Sequence, residues 1–306
     1  MGVGTAVLIR PRAALILGRV SNLPTVLSNA MAGIALAGAG ALDGMAGGEL
    51  VGGVARAAIV LALFYVGGMY LNDAFDAEID ARERPARPIP RGDATRGTVF
   101  AAGFALIGLG LALAAVSGLE AGLCGGLLAG AILLYDILHK RTAAAPAIMG
   151  LCRLLSYATA AAAVGGEAGG GALAPWMLLG AGGLFCHVVG LTFAARQEAY
   201  DRLDNAWPLG VLAVPLTGAL WVSLGSPLAF GLWAALAAAT GWAVQRLFRR
   251  APGDVPRAVA VLIAAIALYD AVLIAAAGSG AAAPLTLAAA LCFPLTLALQ
   301  RVIPGT

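Results

Sequence analysis

The sequence predicts an all-α integral membrane protein, and three observations carry that reading. Of its 306 residues, 61% are hydrophobic and only 11% are charged, with a mean hydropathy of +0.91. A soluble domain carries about a quarter charged residues. Apolar runs long enough to cross a bilayer, which takes about 20 residues per helix, recur along the whole chain. Lys and Arg fall almost entirely on every second connection between those runs, as the charge bias of membrane topology requires. The alternating pattern of a membrane barrel strand is missing.

The expected spans are 22–42, 51–71, 97–117, 120–138, 145–165, 172–195, 208–224, 228–247, 257–277 and 284–300. Ala and Gly dominate them, which suits close helix packing in lipid. The first is not a cleavable signal peptide, because its apolar core is too long and Arg19 precedes it directly. Trp176, Trp207 and Trp221 lie near span ends as interfacial anchors. "VGGEAGGGAL" (164–173) reads as a turn between helices. Cys124, Cys152, Cys186 and Cys292 lie in apolar spans without metal-ligand spacing or a disulfide framework. Residues 1–306 are expected to form a single multi-pass domain.

Orientation follows from the charges. With the N-terminus in the cytoplasm of a cell (inner) membrane, the inner connections collect Arg82 to Arg96, Lys140 and Arg141, Arg196 and Arg202, and Arg246 to Arg257. Arg10, Arg12 and Arg19 precede the first span and Arg301 follows the tenth, so among the basic residues only Arg56 and Arg153 fall outside the cytoplasmic set. The outer connections hold Asp43, Glu49, Glu120 and Glu167, or no charge. The net charge of +3 is therefore a topology effect, and no nucleic-acid partner is implied. The lipid bilayer is the implied surrounding.

The residues expected to carry chemistry begin where the second span meets the cytoplasmic loop, in "NDAFDAEID" (72–80). If the helix continues to about Asp80, then Asn72, Asp76 and Asp80 share one face at successive i, i+4 steps, with Asp73 bordering it. Three carboxylates and an amide oxygen would repel one another unless a cation joined them. Hard oxygen ligands suit Mg²⁺, which completes its shell with water and substrate phosphates. The arginines that follow bind phosphate oxygens in a planar, often bidentate way. Acids for Mg²⁺ beside bases for phosphate make a diphosphate site. A solvated loop with internal ion pairs would not by itself account for this spacing at the mouth of a membrane bundle.

At these residues the sequence resembles the UbiA superfamily of intramembrane prenyltransferases. "NDAFDAEID" matches that family's first aspartate-rich motif, NDxxDxxxD. "RPARPIPRG" (84–92) is similar to the segment that follows it, "RVSNLPTVLSNAMAG" (19–33) to the opening helix, and "LYDILHKRT" (134–142) to the basic fourth connection. A fainter likeness, to the UbiA-like proteins of ebo-type gene clusters, rests on "RVSNLPTVLSN", "MGLCRLLSY" and "TFAARQE". The resemblance implies a bundle of commonly nine helices around a central cavity open sideways to lipid, against the ten runs counted here. It also implies two aspartate-rich cytoplasmic segments that hold Mg²⁺ and the diphosphate of a prenyl donor. Ionisation leaves an allylic cation, which a hydrophobic or aromatic acceptor attacks.

Carried over residue by residue, the resemblance assigns Asn72, Asp73, Asp76 and Asp80 to catalysis and metal binding. Arg19, Asn22, Arg84, Arg87, Arg91, Tyr135, Lys140 and Arg141 are expected to meet the substrates, and Arg153 joins them because of its place inside the fifth span. The second motif departs from the family pattern. "RQEAYDRLDNAW" (196–207) places Glu198, Asp201 and Asp204 at i, i+3, i+6, with Asn205 where a second Asp would complete a DxxxD core. Glu198 and Asp201 can share a helical face and bind metal, with Asp201 counted among the catalytic residues; Asp204 drifts off that face but stays a metal candidate, with loop solubility as the competing reading.

Lys140 and Arg141 also suit a positive-inside anchor. Arg153 sits inside the fifth span, where an unpaired charge is expensive, and is expected to face the cavity and meet a carboxylate or phosphate. Asp270 raises the same question in the ninth span. His187 reads as a packed, neutral histidine. A competing reading is a UbiA-like membrane protein with weakened or no catalysis that binds or transports a lipid or secondary-metabolite precursor. A CDP-alcohol phosphotransferase is excluded, because "DGMAGG" (43–48) lacks the Ala-Arg of that motif and lies on the outer side.

Overall fold

The computed structural model describes residues 9–37, 47–168, 171–196, 206–278 and 282–305. Among these, every regular element is a helix. A short α1 (Pro11–Leu17) leads to α2 (Leu23–Leu36), α3 (Gly47–Phe75) and α4 (Ala77–Glu83). Then come α5 (Arg96–Val116), α6 (Leu119–Leu138), α7 (Ala145–Ala168) and α8 (Pro175–Arg196). The chain finishes with α9 (Ala213–Ser223), α10 (Pro227–Arg249), α11 (Asp254–Ala276) and α12 (Ala282–Gln300).

Eight of these, α3, α5, α6, α7, α8, α10, α11 and α12, are long and apolar enough to cross a membrane. The apolar stretch Pro208–Ser223, which contains α9, is shorter, and so is α2. At 1.5 Å per residue, the 14 residues of α2 cover only about 21 Å of a core that is about 30 Å thick. All ten expected runs are therefore helical, two of them as shorter pieces. The first run was expected over 22–42; its helix ends at Leu36, and residues 38–46 lie outside the described residues.

The two ends of the chain meet. Asn22, just before α2, donates to the Gly305 carbonyl at 2.9 Å and accepts from Gln300 Nε2 at 2.9 Å.

Local sequence explains the element ends. Pro227 opens α10 behind Ser226, whose hydroxyl accepts from the Ala229 N–H, and Thr95 caps α5 the same way through Thr98. Such caps satisfy donors that a helix start leaves unpaired. Gly118, at φ 141°, makes the tight turn between α5 and α6, a conformation glycine adopts without steric cost.

Small residues bring the helices together. A Cβ on Gly33 of α2 would stand 2.7 Å from the Tyr157 carbonyl oxygen and 2.8 Å from the Ala160 Cβ of α7. At the centre runs α11, buried almost throughout, with α2, α8, α10 and α12 packed around it. In lipid the apolar side chains gain little from burial against each other, so such close backbone approach supplies much of the association.

Two breaks position the polar residues. Between α1 and α2, Arg19 takes a left-handed conformation at φ 42°, uncommon for a residue with a side chain. This turn directs its guanidinium at α3. Between α3 and α4, the helix bends at Asp76, so the continuous helix expected through Asp80 is instead two helices joined there. The backbone bonds from Asp76 N–H to the Asn72 carbonyl and from Asp80 N–H to the Asp76 carbonyl persist across the bend, at 2.9 and 2.8 Å. Asn72, Asp76 and Asp80 thus keep their i, i+4 relation.

Candidate active site

Asn72, Asp73, Asp76 and Asp80 are all buried, none more than 9% exposed. Acids at a membrane surface are not normally buried without partners, and here each of the first three has one. Asp73 Oδ1 accepts from Arg87 Nη1 at 2.7 Å and, less closely, from Arg19 Nη2 at 3.4 Å. Asp76 Oδ2 lies 3.0 Å from His139 Nε2 and 3.7 Å from Lys140 Nζ. The Asn72 side chain donates to Asp136 Oδ1 at 3.2 Å, and its Oδ1 faces Arg19 at 3.4 Å.

These contacts set the charges of the loop acids. Burial works against the ionised form of Asp76, yet the hydrogen bond and charge of His139, helped by Lys140 and Arg87, hold its pKa below the usual carboxylate value. Asp80 goes the other way. Burial pushes it up, Arg87 opposes, and the neighbouring Asp73 and Asp76 add to the rise.

His139 escaped the sequence reading, which singled out Lys140 and Arg141 beside it. Its ring stacks on Tyr135 with centroids 5.0 Å apart, which aims Nε2 at Asp76. The available signal was its place directly before Lys140 at the end of the fourth run. Asp136, in the same "LYDILHKRT" stretch, was not singled out either. It is 3% exposed and its Oδ2 has no hydrogen-bond partner.

The other expected residues divide. Arg19, Arg87 and Lys140 meet the acids as described. Arg91 pairs with Asp93 at 3.5 Å, while Arg84 and Arg141 are exposed at the rim. Asn22 does not join the acids; it is held by Tyr65, Gln300 and Gly305. Arg153 meets an amide, donating to Asn29 Oδ1 at 2.6 Å, where a carboxylate or phosphate was expected. His187 is buried against the Leu262 carbonyl at 2.9 Å, a packing role. Asp270 is held by Ser28, Asn29 and Tyr157. Glu198, Asp201 and Asp204 lie outside the described residues.

Directly inside this polar mouth is an open-sided cavity between α2, α3, α6 and α7. Its walls are largely apolar, with Val26, Leu61, Phe64, Leu128 and Ile132, and its polar members are Tyr65, Tyr135, Asp136, Arg153 and Ser156. An apolar chain fits such a wall while a charged head stays at the mouth.

The donor chemistry suits Mg²⁺: buried carboxylates, an amide oxygen and the partnerless Asp136 Oδ2 are hard oxygen ligands in excess. In this structure, however, Asp73 faces Arg87 and Arg19 while Asp76 faces His139 and Lys140. Among the described residues, no three His, Cys, Asp or Glu side chains are gathered closely enough to grip one ion.

Residues 26–266 match the model of the UbiA prenyltransferase family. Two similar curated proteins are digeranylgeranylglyceryl phosphate synthases. That of Methanopyrus kandleri is 43% identical over 70 residues, 22% of this chain and 26% of the relative. That of Metallosphaera sedula is 37% identical over 86 residues, 28% of this chain and 30% of the relative. The chain thus matches only about a quarter to a third of the length of these relatives. Among solved structures, one described as a digeranylgeranylglyceryl phosphate synthase in membranes superposes with a TM-score of 0.59 at 17% identity. That alignment covers 87% of this chain and 97% of the other. A UbiA homologue from Archaeoglobus fulgidus, bound to GPP and Mg²⁺, gives a TM-score of 0.51 at 14% identity over 94% of this chain and 99% of its own. Identities this low speak for the fold alone.

Proposed function

Because this chain belongs to the UbiA prenyltransferase family, we propose that it is a Mg²⁺-dependent intramembrane prenyltransferase. It moves a polyprenyl group from its diphosphate onto a lipid-soluble or aromatic acceptor. One observation carries the reading: buried acids interleaved with Arg19, Arg87, His139 and Lys140 stand at the mouth of an apolar cavity. The GPP and Mg²⁺ bound by the Archaeoglobus fulgidus homologue and the names of the curated relatives support it.

Asn72, Asp73, Asp76 and Asp80 would hold Mg²⁺, with Glu198, Asp201 and Asp204 contributing from the second motif. When bound, Mg²⁺ supplies charge stabilisation to the departing diphosphate. An arriving diphosphate competes with Asp73 for Arg19 and Arg87, and with Asp76 for His139 and Lys140. The carboxylates so released, Asp73 and Asp76, would be free to hold Mg²⁺. This exchange accounts for acids and bases being paired in the resting arrangement. Tyr135 borders the reacting end of the cavity, and Arg84, Arg91 and Arg141 make an attractive rim for an anionic donor. The apolar walls exclude water from the allylic cation. The mouth faces the cytoplasm of a cell (inner) membrane, as the distribution of Lys and Arg requires.

The test is incubation of the purified protein with radiolabelled prenyl diphosphates of several lengths and a lipid-extract acceptor pool, with and without Mg²⁺. Labelled lipid that forms only with Mg²⁺ is the expected result. Binding of every donor without any turnover would instead favour a lipid-binding or transport role.

A further inference from the structure

A second, small void lies beyond the cavity, between α3, α5, α6 and α7. The two spaces are in line. On α3 the cavity is lined from Met69 to Leu61, and the void takes over at Val60 and Ala57. On α7 the cavity ends at Ser156 and the void begins at Thr159. Phe64 stands eight residues before Asn72 on α3, about 12 Å inward from the mouth along the helix axis, and Ala57 is about 10 Å further.

Phe64, Leu61 and Leu128, all buried, close the cavity at this inner end. Of the three, Phe64 has the ring that reaches the edge of the void. It lies in a slot made by two glycines. A Cβ on Gly110 of α5 would stand 3.5 Å from Phe64 Cδ2, and one on Gly125 of α6 would stand 3.5 Å from Phe64 Cζ. The same Gly125 Cβ would be 3.0 Å from the Ala114 Cβ, and Ala114 lines the void. One side chain thus spans from the cavity wall to the neighbourhood of the second space. Truncating a buried phenylalanine leaves a hole, and here the hole would join two spaces into one.

An apolar tail gains little by leaving lipid for an apolar protein wall. Tail length is therefore discriminated inside the bundle by fit and exclusion, not by the area buried. We propose that Phe64 sets the donor length: its ring stops the prenyl tail at the inner end of the cavity, so a longer tail must displace the ring or leave by the open side. This inference rests on the prenyl-transfer reading, and its test uses binding without turnover.

The full chain in lipid nanodiscs with Mg²⁺ is titrated with geranyl, farnesyl and geranylgeranyl diphosphate. The quantity read is the affinity for the longest donor relative to the shortest, compared between variant and parent, so that partition of the donors into lipid cancels. Phe64→Ala should raise this ratio about ten-fold, the scale on which an apolar site rejects an oversized group. Phe64→Leu, which keeps more of the packing, should raise it less, and Phe64→Trp should lower it. Ala57→Leu fills the void from the far side. In the Phe64→Ala background it should return the ratio to the parent value, and alone it should leave the ratio within about two-fold.

An unchanged ratio in Phe64→Leu and Phe64→Trp overturns the proposal, whether or not Phe64→Ala folds. So does an equal loss of affinity for all three donors, which is what a residue that only packs the core would give. A raised ratio that Ala57→Leu does not reverse also overturns it, because the tail then does not enter the void. Failure of the parent to bind any of the three donors would instead overturn the prenyl-transfer reading, and this inference with it.

Discussion

Arg87→Ala probes the resting ion pairs most cleanly. Asp73 is 3% exposed, and Arg87 is its close partner at 2.7 Å. Arg19 reaches the same oxygen only at 3.4 Å, beyond good hydrogen-bond distance. Removing one member of a wholly buried pair costs about 3–5 kcal/mol, because the other charge is stranded. The Arg87 side chain is 15% exposed and Arg19 remains, so the expected cost is smaller, about 2 kcal/mol of stability. In an Asp73→Asn background there is no buried charge to strand, and the same substitution should cost under about 0.5 kcal/mol, the range of an ordinary surface change. Equilibrium unfolding of the four proteins in mixed detergent micelles measures the difference as a coupling energy. Additive costs, with no coupling between positions 73 and 87, would refute the pairing. Donor binding should fall about ten-fold or more in Arg87→Ala through the lost phosphate contact.

Three further outcomes are expected. Gly33→Ala should destabilise by about 1–3 kcal/mol as an overpacking change, since its Cβ would stand 2.7 Å from the Tyr157 carbonyl oxygen; Gly126→Ala, with nothing within 4 Å, is the control, and equal effects would contradict the close α2–α7 approach. In the second motif, Glu198→Ala and Asp201→Ala should cost turnover as severely as Asp76→Ala, Asp204→Ala less, and Asn205→Asp should preserve or strengthen diphosphate binding. Parental turnover in both of the first two removes the second metal clamp. A cysteine placed in the 82–96 loop should react with a membrane-impermeant reagent only from the cytoplasm, and one near Glu167 only from outside; labelling of both from one side would overturn the topology.

Hydropathy and charge made the bundle legible, because a span is a property of its own run of residues. Every one of the ten runs is helical. Their lengths were less legible. The break at Arg19 depends on a single left-handed residue that no periodicity announces, and α2 is short although its apolar run continues. The first acidic motif was legible as i, i+4 spacing, yet the bend at Asp76 interrupts the helix without changing the composition. Partners were the hardest to read. Asp76 with His139, Asn72 with Asp136, Asn29 with Asp270 and Asn22 with Gly305 join residues from 63 to 283 positions apart, which helix packing alone decides. Arg153 was expected to face the cavity, and the structure places it on the wall, but its amide partner could only come from the structure.

The central claim is that the acids at the α3–α4 junction make prenyl diphosphate binding depend on Mg²⁺. Calorimetric titration of the parent and Asp76→Ala with geranyl diphosphate, each with and without Mg²⁺, tests it directly. Loss of Asp76 frees His139 and Lys140, so some Mg²⁺-independent binding is allowed to increase. The informative quantity is the increment that Mg²⁺ adds. The account predicts an increment of at least about ten-fold in the parent, the scale of a charge-assisted contact, and its loss in Asp76→Ala. An equal Mg²⁺ increment in both proteins, or none in the parent, would contradict it.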